Sequence, residues 1–88
     1  MIKMYSIYNK TLKQYYTPIF QSDTIEIKKT IFDVVNDIND NYIKRCPANY
    51  CVYEVGTFDG KTGKIDVYRN PKVVVECAEL VLKETPNG

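Results

Sequence analysis

Histidine is absent from this sequence of 88 residues, and its absence removes the most common machinery of catalysis. No Ser-His or Cys-His dyad can be assembled, and no imidazole is available to move a proton near neutral pH. Cysteine is sparse. Cys46, Cys51 and Cys77 cannot all pair within one chain, there is no CxxC, and without histidine a zinc site has too few soft ligands. They read as reduced thiols in a reducing compartment. No aliphatic run is longer than Val73-Val74-Val75, far below the roughly 20 residues of a membrane span. The first five residues hold no apolar run of signal-peptide length, so a cytosolic protein with no membrane contact is expected. Paired carboxylates could still do acid–base work, but eleven acidic residues on so small a surface form pairs by chance. The expectation is a protein that is not an enzyme and carries no metal or cofactor.

What is present suffices for one domain, residues 1–88, with a single small core. Hydrophobic residues make up 44% of the chain and recur with regular period, which argues against disorder. The net charge is only +1 but unevenly spread. Residues 1–21 carry Lys3, Lys10 and Lys13 and no acid; residues 22–43 hold five acids against two lysines. Residues 44–72 hold six basic and three acidic groups, and residues 73–88 are acidic again. Such asymmetry can mark a nucleic-acid face on a nearly neutral protein, and an ordinary mixed surface gives the same pattern.

Residues 2–8 alternate as a strand, and residues 15–20 are extended because Pro18 cannot donate to a ladder and biases Thr17 toward the β region. A helix over 24–38 is predicted. Asp23 serves as N-cap with Glu26 three residues on, and Ile27, Ile31, Val34 or Val35 and Ile38 form the stripe, widened by Ile25 and Phe32. Asp37 and Asp40 oppose the helix dipole, so fraying near residues 39–41 is expected. Residues 41–47 read equally as a helical turn or a loop ended by Pro47.

Residues 50–58 form a strand, with Cys51, Tyr53 and Val55 on one side and Tyr50, Val52, Glu54 and Phe58 on the other. A second strand follows at Ile65 and Val67. Between them, Asp59-Gly60-Lys61-Thr62-Gly63 invites a phosphate-loop reading, which fails because Gly60-Lys61-Thr62 leads into a strand rather than a helix. It is a hairpin loop with glycine where positive φ is required. Asn70-Pro71 is expected to break the second strand. Residues 72–82 are ambiguous; Val73-Val74-Val75 favours a strand, while Val74, Cys77, Ala78 and Val81 share a helical face, and the balance leans to a short helix. Residues 84–88 read as a loose tail.

Together these elements predict an α+β fold: a small antiparallel sheet of the N-terminal strand and the 50–68 hairpin, with one amphipathic helix on one face. The other face should carry many of the eight tyrosines. An uncovered face and edge suggest a homodimer or larger assembly.

Met4-Tyr5-Ser6-Ile7-Tyr8, then Tyr16-Thr17-Pro18-Ile19-Phe20 with Ser22-Asp23, then Pro47-Ala48-Asn49-Tyr50 leading into residues 53–59, Thr62-Gly63 and Asn70-Pro71, occur in an order and spacing that resembles the small nonstructural protein of gokushovirus-type microviruses. These are bacteriophages with single-stranded DNA genomes. The opening Tyr-Ser-Ile-Tyr is followed by Asn9 where the family usually has Asp. The resemblance implies a DNA-binding nonstructural protein in the host cell cytoplasm, acting where double-stranded replication gives way to single-strand synthesis and packaging. It brings no catalytic residues. The chain lacks the long Arg/Lys run of a genome-condensing protein.

Two function classes follow. The first is a single-stranded DNA-binding protein, with bases stacked on exposed aromatics and phosphates tracked by lysines. Its candidate residues are Lys3, Lys10, Lys13, Tyr15 and Tyr16 in the N-terminal segment and Lys61, Lys64, Arg69 and Lys72 around the hairpin. The same tyrosines also suit a half-buried sheet with no ligand. The second is a dimeric adaptor that touches a phage replication or capsid protein, which the near-zero net charge favours.

Overall fold

The computed structural model describes residues 1–82, so the tail expected at 84–88 lies outside the described residues. The chain forms β1 (Ile2–Asn9), β2 (Gln14–Tyr15), β3 (Ile19–Gln21), α1 (Thr24–Val35), α2 (Tyr42–Arg45), β4 (Tyr50–Phe58) and β5 (Ile65–Glu76). Single 3-10 turns at Pro47–Asn49 and Cys77–Leu80 precede β4 and follow β5. The fold is α+β: one antiparallel sheet in the order β2-β1-β4-β5, with β3 also paired to β1 and α1 as the main helix.

The extended segment at 15–20 becomes two short strands against the outer edge of β1, with Pro18 in the gap between them. The sheet therefore has five strands rather than three. The opposite edge, β5, is twelve residues long.

Asp23 caps α1 as its sequence predicts: its Oδ1 accepts from the Glu26 N–H at 2.9 Å. Ile27, Ile31 and Val35 are buried against Tyr5, Ile7, Val52 and Val75 of the sheet, with Ile43, Tyr50 and Cys77 closing the core. Each such side chain contributes roughly 1.5–3 kcal/mol on full burial.

The helix stops at Val35, short of the predicted 38, and Ile38 is 94% exposed. Its end is capped by amides. Asn36 Nδ2 donates to the Phe32 and Leu80 carbonyls, and Asn41 Nδ2 donates to the Val34 carbonyl. Asn41 then caps α2 by accepting from the Lys44 N–H at 2.8 Å, which settles residues 42–45 as a helical turn. Ile25, counted in the stripe from its spacing, is 79% exposed.

Asn70-Pro71 does not break the second strand, and the short helix expected over 72–82 is reduced to the single 3-10 turn Cys77–Leu80 after the strand ends at Glu76. In the β4–β5 register, Gly56 pairs with Val67 and Glu54 with Lys72. Four residues, 68–71, thus lie opposite the single residue Val55. Pro71 sits in this bulge on an edge strand, one of the few places in a sheet where a missing N–H costs little. Beyond the bulge, β-branched Val73 and Val75 pair with Tyr53 and Val52, and the strand ends only at Glu76.

Val55 is also skipped on its other side, since Tyr5 pairs with Glu54 and Met4 with Gly56. A skipped residue reverses the alternation. Tyr50, Val52 and Glu54 share one side as expected, the side that faces the helix, but Phe58 pairs with Ile2 on the open face. Gly56 is required at this crossing: a Cβ there would lie 2.2 Å from the Asp66 carbonyl oxygen.

The 59–63 loop is a hairpin turn. Gly63 has φ of +73°, its N–H donates to the Asp59 carbonyl at 2.7 Å, and the Lys61 N–H donates to Asp59 Oδ1. Among the described residues, no helix is long and apolar enough to cross a membrane.

Candidate nucleic-acid interface

α1 covers one face of the sheet and leaves the other open. By register the open face carries Ile2, Met4, Ser6 and Tyr8 from β1, Tyr15 and Phe20 from β2 and β3, Cys51, Tyr53, Gly56 and Phe58 from β4, and Ile65, Val67, Val73 and Glu76 from β5. Of these only Glu76, ion-paired with Lys10, bears a formal charge at neutral pH. The face divides into two ends.

At one end, Tyr8, Tyr15 and Tyr53 form a cluster. Ring centroids lie 4.7 Å apart for Tyr8–Tyr15, 5.5 Å for Tyr8–Tyr53 and 5.6 Å for Tyr15–Tyr53, in tilted and edge-on contacts. Tyr15 remains 45% exposed. Burial pushes the Tyr53 hydroxyl above its ordinary pKa, so that ring stays neutral.

Beside it, the turn carrying Lys10 and Lys13 is held by amides. The Lys10 N–H donates to the Asn49 carbonyl, the Thr11 N–H to Asn49 Oδ1 and the Leu12 N–H to Asn9 Oδ1. Lys13 sits in this turn at φ of +53° and is exposed. Lys10 is ion-paired with Glu76, which raises its pKa.

At the other end, Ile2, Phe20, Phe58 and Ile65 line an open apolar concavity of about 260 Å³. Phe20 and Phe58 meet edge to face at 6.1 Å.

The structure does not bring the nine sequence-derived candidates into one surface. Lys10, Lys13 and Tyr15 lie together at the tyrosine end. Tyr16 points to the covered side, where its hydroxyl takes a hydrogen bond from Asn9 Nδ2 at 3.0 Å and its ring packs near Tyr42 and Tyr50. Lys61 and Lys64 are at the hairpin tip, past the far end of β4, a separation from Lys10 of roughly 26 Å by strand rise alone. Lys64 lies 3.7 Å from Asp66.

Lys3 and Lys72 gather on the covered side around Glu54, which is only 7% exposed. Lys3 Nζ is 3.3 Å from Glu54 Oε1, the Tyr68 hydroxyl donates to Oε2 at 2.6 Å, and Lys72 lies over the Tyr68 ring at 5.0 Å. Burial pushes the Glu54 carboxyl up, but Tyr68 and Lys3 outweigh it and leave the pKa below its ordinary value. The carboxylate in turn pushes Tyr68 up to about 12. Arg69 is exposed in the adjoining bulge.

Of the eight tyrosines, three stand on the open face. Tyr5, Tyr16 and Tyr50 belong to the core or pack against it, Tyr42 packs beside Tyr16 and Tyr50, and Tyr68 serves Glu54. Sequence reasoning did not single out Tyr8, Tyr53, Phe20 or Phe58. Alternation could have placed Tyr8 beside Tyr53, but the bulge at Val55 hid Phe58.

Among the described residues no group of three or more metal-ligating side chains occurs. No curated protein and no solved structure matches the chain. A family model described as Phage ORF5 protein matches residues 2–80, from the start of β1 through the turn after β5. The chain is therefore a phage protein and belongs to the Phage ORF5 family.

Proposed function

We propose that this phage protein is a non-enzymatic, nonstructural single-stranded DNA-binding protein of the gokushovirus type. It would act in the host cytoplasm during viral genome replication or the switch to single-strand synthesis and packaging. The observation that carries this reading is the Tyr8–Tyr15–Tyr53 cluster on an uncovered sheet face, beside a turn bearing Lys10 and Lys13. Aromatic rings on an open sheet are a platform for unstacked bases, and adjacent lysines reach the phosphates. A duplex hides its base faces, and α1 is a poor groove reader, because Lys28 and Lys29 share its polar side with Asp33.

The test is a titration of the purified protein with single- and double-stranded oligonucleotides at two salt concentrations. Tighter binding to single strands, with only a shallow salt dependence, is expected. No affinity at low salt would sink the DNA reading. The adaptor reading has its own support: Lys3, Lys10 and Lys64 are already paired with carboxylates, and the far end of the open face is apolar. It takes over if DNA binding fails.

A further inference from the structure

We infer that the apolar end of the open face is the contact between two copies of this chain, stacked face to face about a two-fold axis. Val67 on β5 is 73% exposed and pairs with Gly56, at the same end of the sheet as Ile65. Next to it lies the concavity walled by Ile2, Phe20, Phe58 and Ile65, large enough at about 260 Å³ to receive an aliphatic side chain. The patch thus carries both a protrusion and a recess, which is what an isologous contact requires: Val67 of one copy enters the recess of the other, and the reverse.

Charge points the same way. None of Ile2, Phe20, Phe58, Ile65 and Val67 carries a formal charge, so a copy of the same patch meets it without repulsion and no ion is stripped of water. The C-terminal segment beyond the described residues, Lys-Glu-Thr-Pro-Asn-Gly, is polar in sequence and is no match for an apolar recess. The tyrosine cluster sits at the other end of the strands, so stacking of the aliphatic ends in opposite directions leaves it uncovered in both copies. The contact does not depend on DNA binding.

Sedimentation equilibrium of the full chain decides the matter. The wild type is expected at twice 10.2 kDa at micromolar concentration. Val67→Lys, and separately Phe20→Lys, should raise the dimer dissociation constant by about 30-fold or more, as loss of a central interface anchor does. Both positions are solvent-exposed in the single chain, so circular dichroism should be unchanged. A wild type that stays at 10.2 kDa up to about 100 µM overturns the inference and leaves the face to a different protein. A dimer that survives both substitutions is built on another surface, such as the free edge of β5, and overturns it equally. Oligonucleotide affinity of the Val67→Lys variant, measured in parallel, separates the two ideas, because the proposed DNA contacts lie elsewhere.

Discussion

The two faces of this sheet are made from the same three long strands and do opposite things. Toward α1, Tyr5, Ile7, Val52 and Val75 are buried and matched by Ile27, Ile31 and Val35. Away from it, Val67, Val73, Ile65 and Phe20 are comparably apolar and stand in solvent. Strand composition therefore does not decide which face becomes the core; the single amphipathic helix does. A twelve-residue helix is too short to cover a second face, so whatever covers the open one must come from outside the described chain.

Substitutions should expose that contrast most strongly at the helix. Ile31→Ala empties a fully buried site and is expected to cost about 2–5 kcal/mol of unfolding free energy. Ile25→Ala and Ile38→Ala, on exposed positions of the same segment, should stay within about 0.5 kcal/mol. Denaturant melts of the three variants check this, and a large loss at Ile38 would mean that α1 is longer than Thr24–Val35.

That pair of isoleucines also marks how far the sequence could be read. The cap at Asp23, the Ile27–Ile31–Val35 stripe, the hairpin and its glycine turn were all legible, because each is set by residues within a few positions of one another. Ile38 carried the same spacing signal as Ile31. What ended the helix before it was a set of amides from Asn36 and Asn41, one of them reaching Leu80, which spacing does not reveal. Pro71 misled for a related reason. A proline excludes a central strand, but β5 is an edge strand bulged at 68–71, and neither edge position nor bulge is written in local sequence. The same bulge region turned Phe58 to the open face, so the tyrosine end of the site was half visible and the Phe20–Phe58 recess was not.

The hairpin offers a second, smaller contrast. Gly63→Val forces a β-branched residue to φ of +73° and should cost about 1–3 kcal/mol. Lys61→Ala, two residues away in open solvent, should leave the melting temperature unchanged. Equal stabilities for the two variants would refute the turn.

The buried Glu54 sets the covered face apart in its response to pH. Its pKa lies below the ordinary value, so its contribution is present above the unfolded carboxyl pKa and is lost as pH falls through the lower folded one. Tyr68 behaves inversely. Its hydroxyl is pushed up to about 12, so the stability it lends is complete below about 10 and disappears as pH rises toward 12. Tyr68→Phe should lower stability at neutral pH by about 1–3 kcal/mol, because Glu54 keeps its burial and loses a donor. It should also flatten the alkaline limb of a stability–pH curve. An unchanged alkaline limb would show that the Tyr68–Glu54 hydrogen bond contributes nothing there.

The effects at the tyrosine end are on binding, and they separate stacking from charge. Tyr15→Ala removes the exposed ring and should weaken single-strand binding by about 1–3 kcal/mol without altering its salt dependence, since no phosphate contact is lost. Lys13→Ala should do the reverse, lowering affinity modestly while reducing the slope of log K against log salt by about 0.7, the value for one phosphate contact on a single strand. Alanine, like lysine, carries a Cβ, so the strain of φ at +53° is the same before and after and the turn should hold. Lys10→Ala should reduce the slope by less, because Glu76 already holds that ammonium and a phosphate must compete with it. The order Lys13 above Lys10 is specific to this geometry: in sequence the two lysines are equivalent, three residues apart with no acid between them. Equal slope changes would mean that the Lys10–Glu76 pair opens without cost on binding. No change at either would remove this turn from the DNA surface.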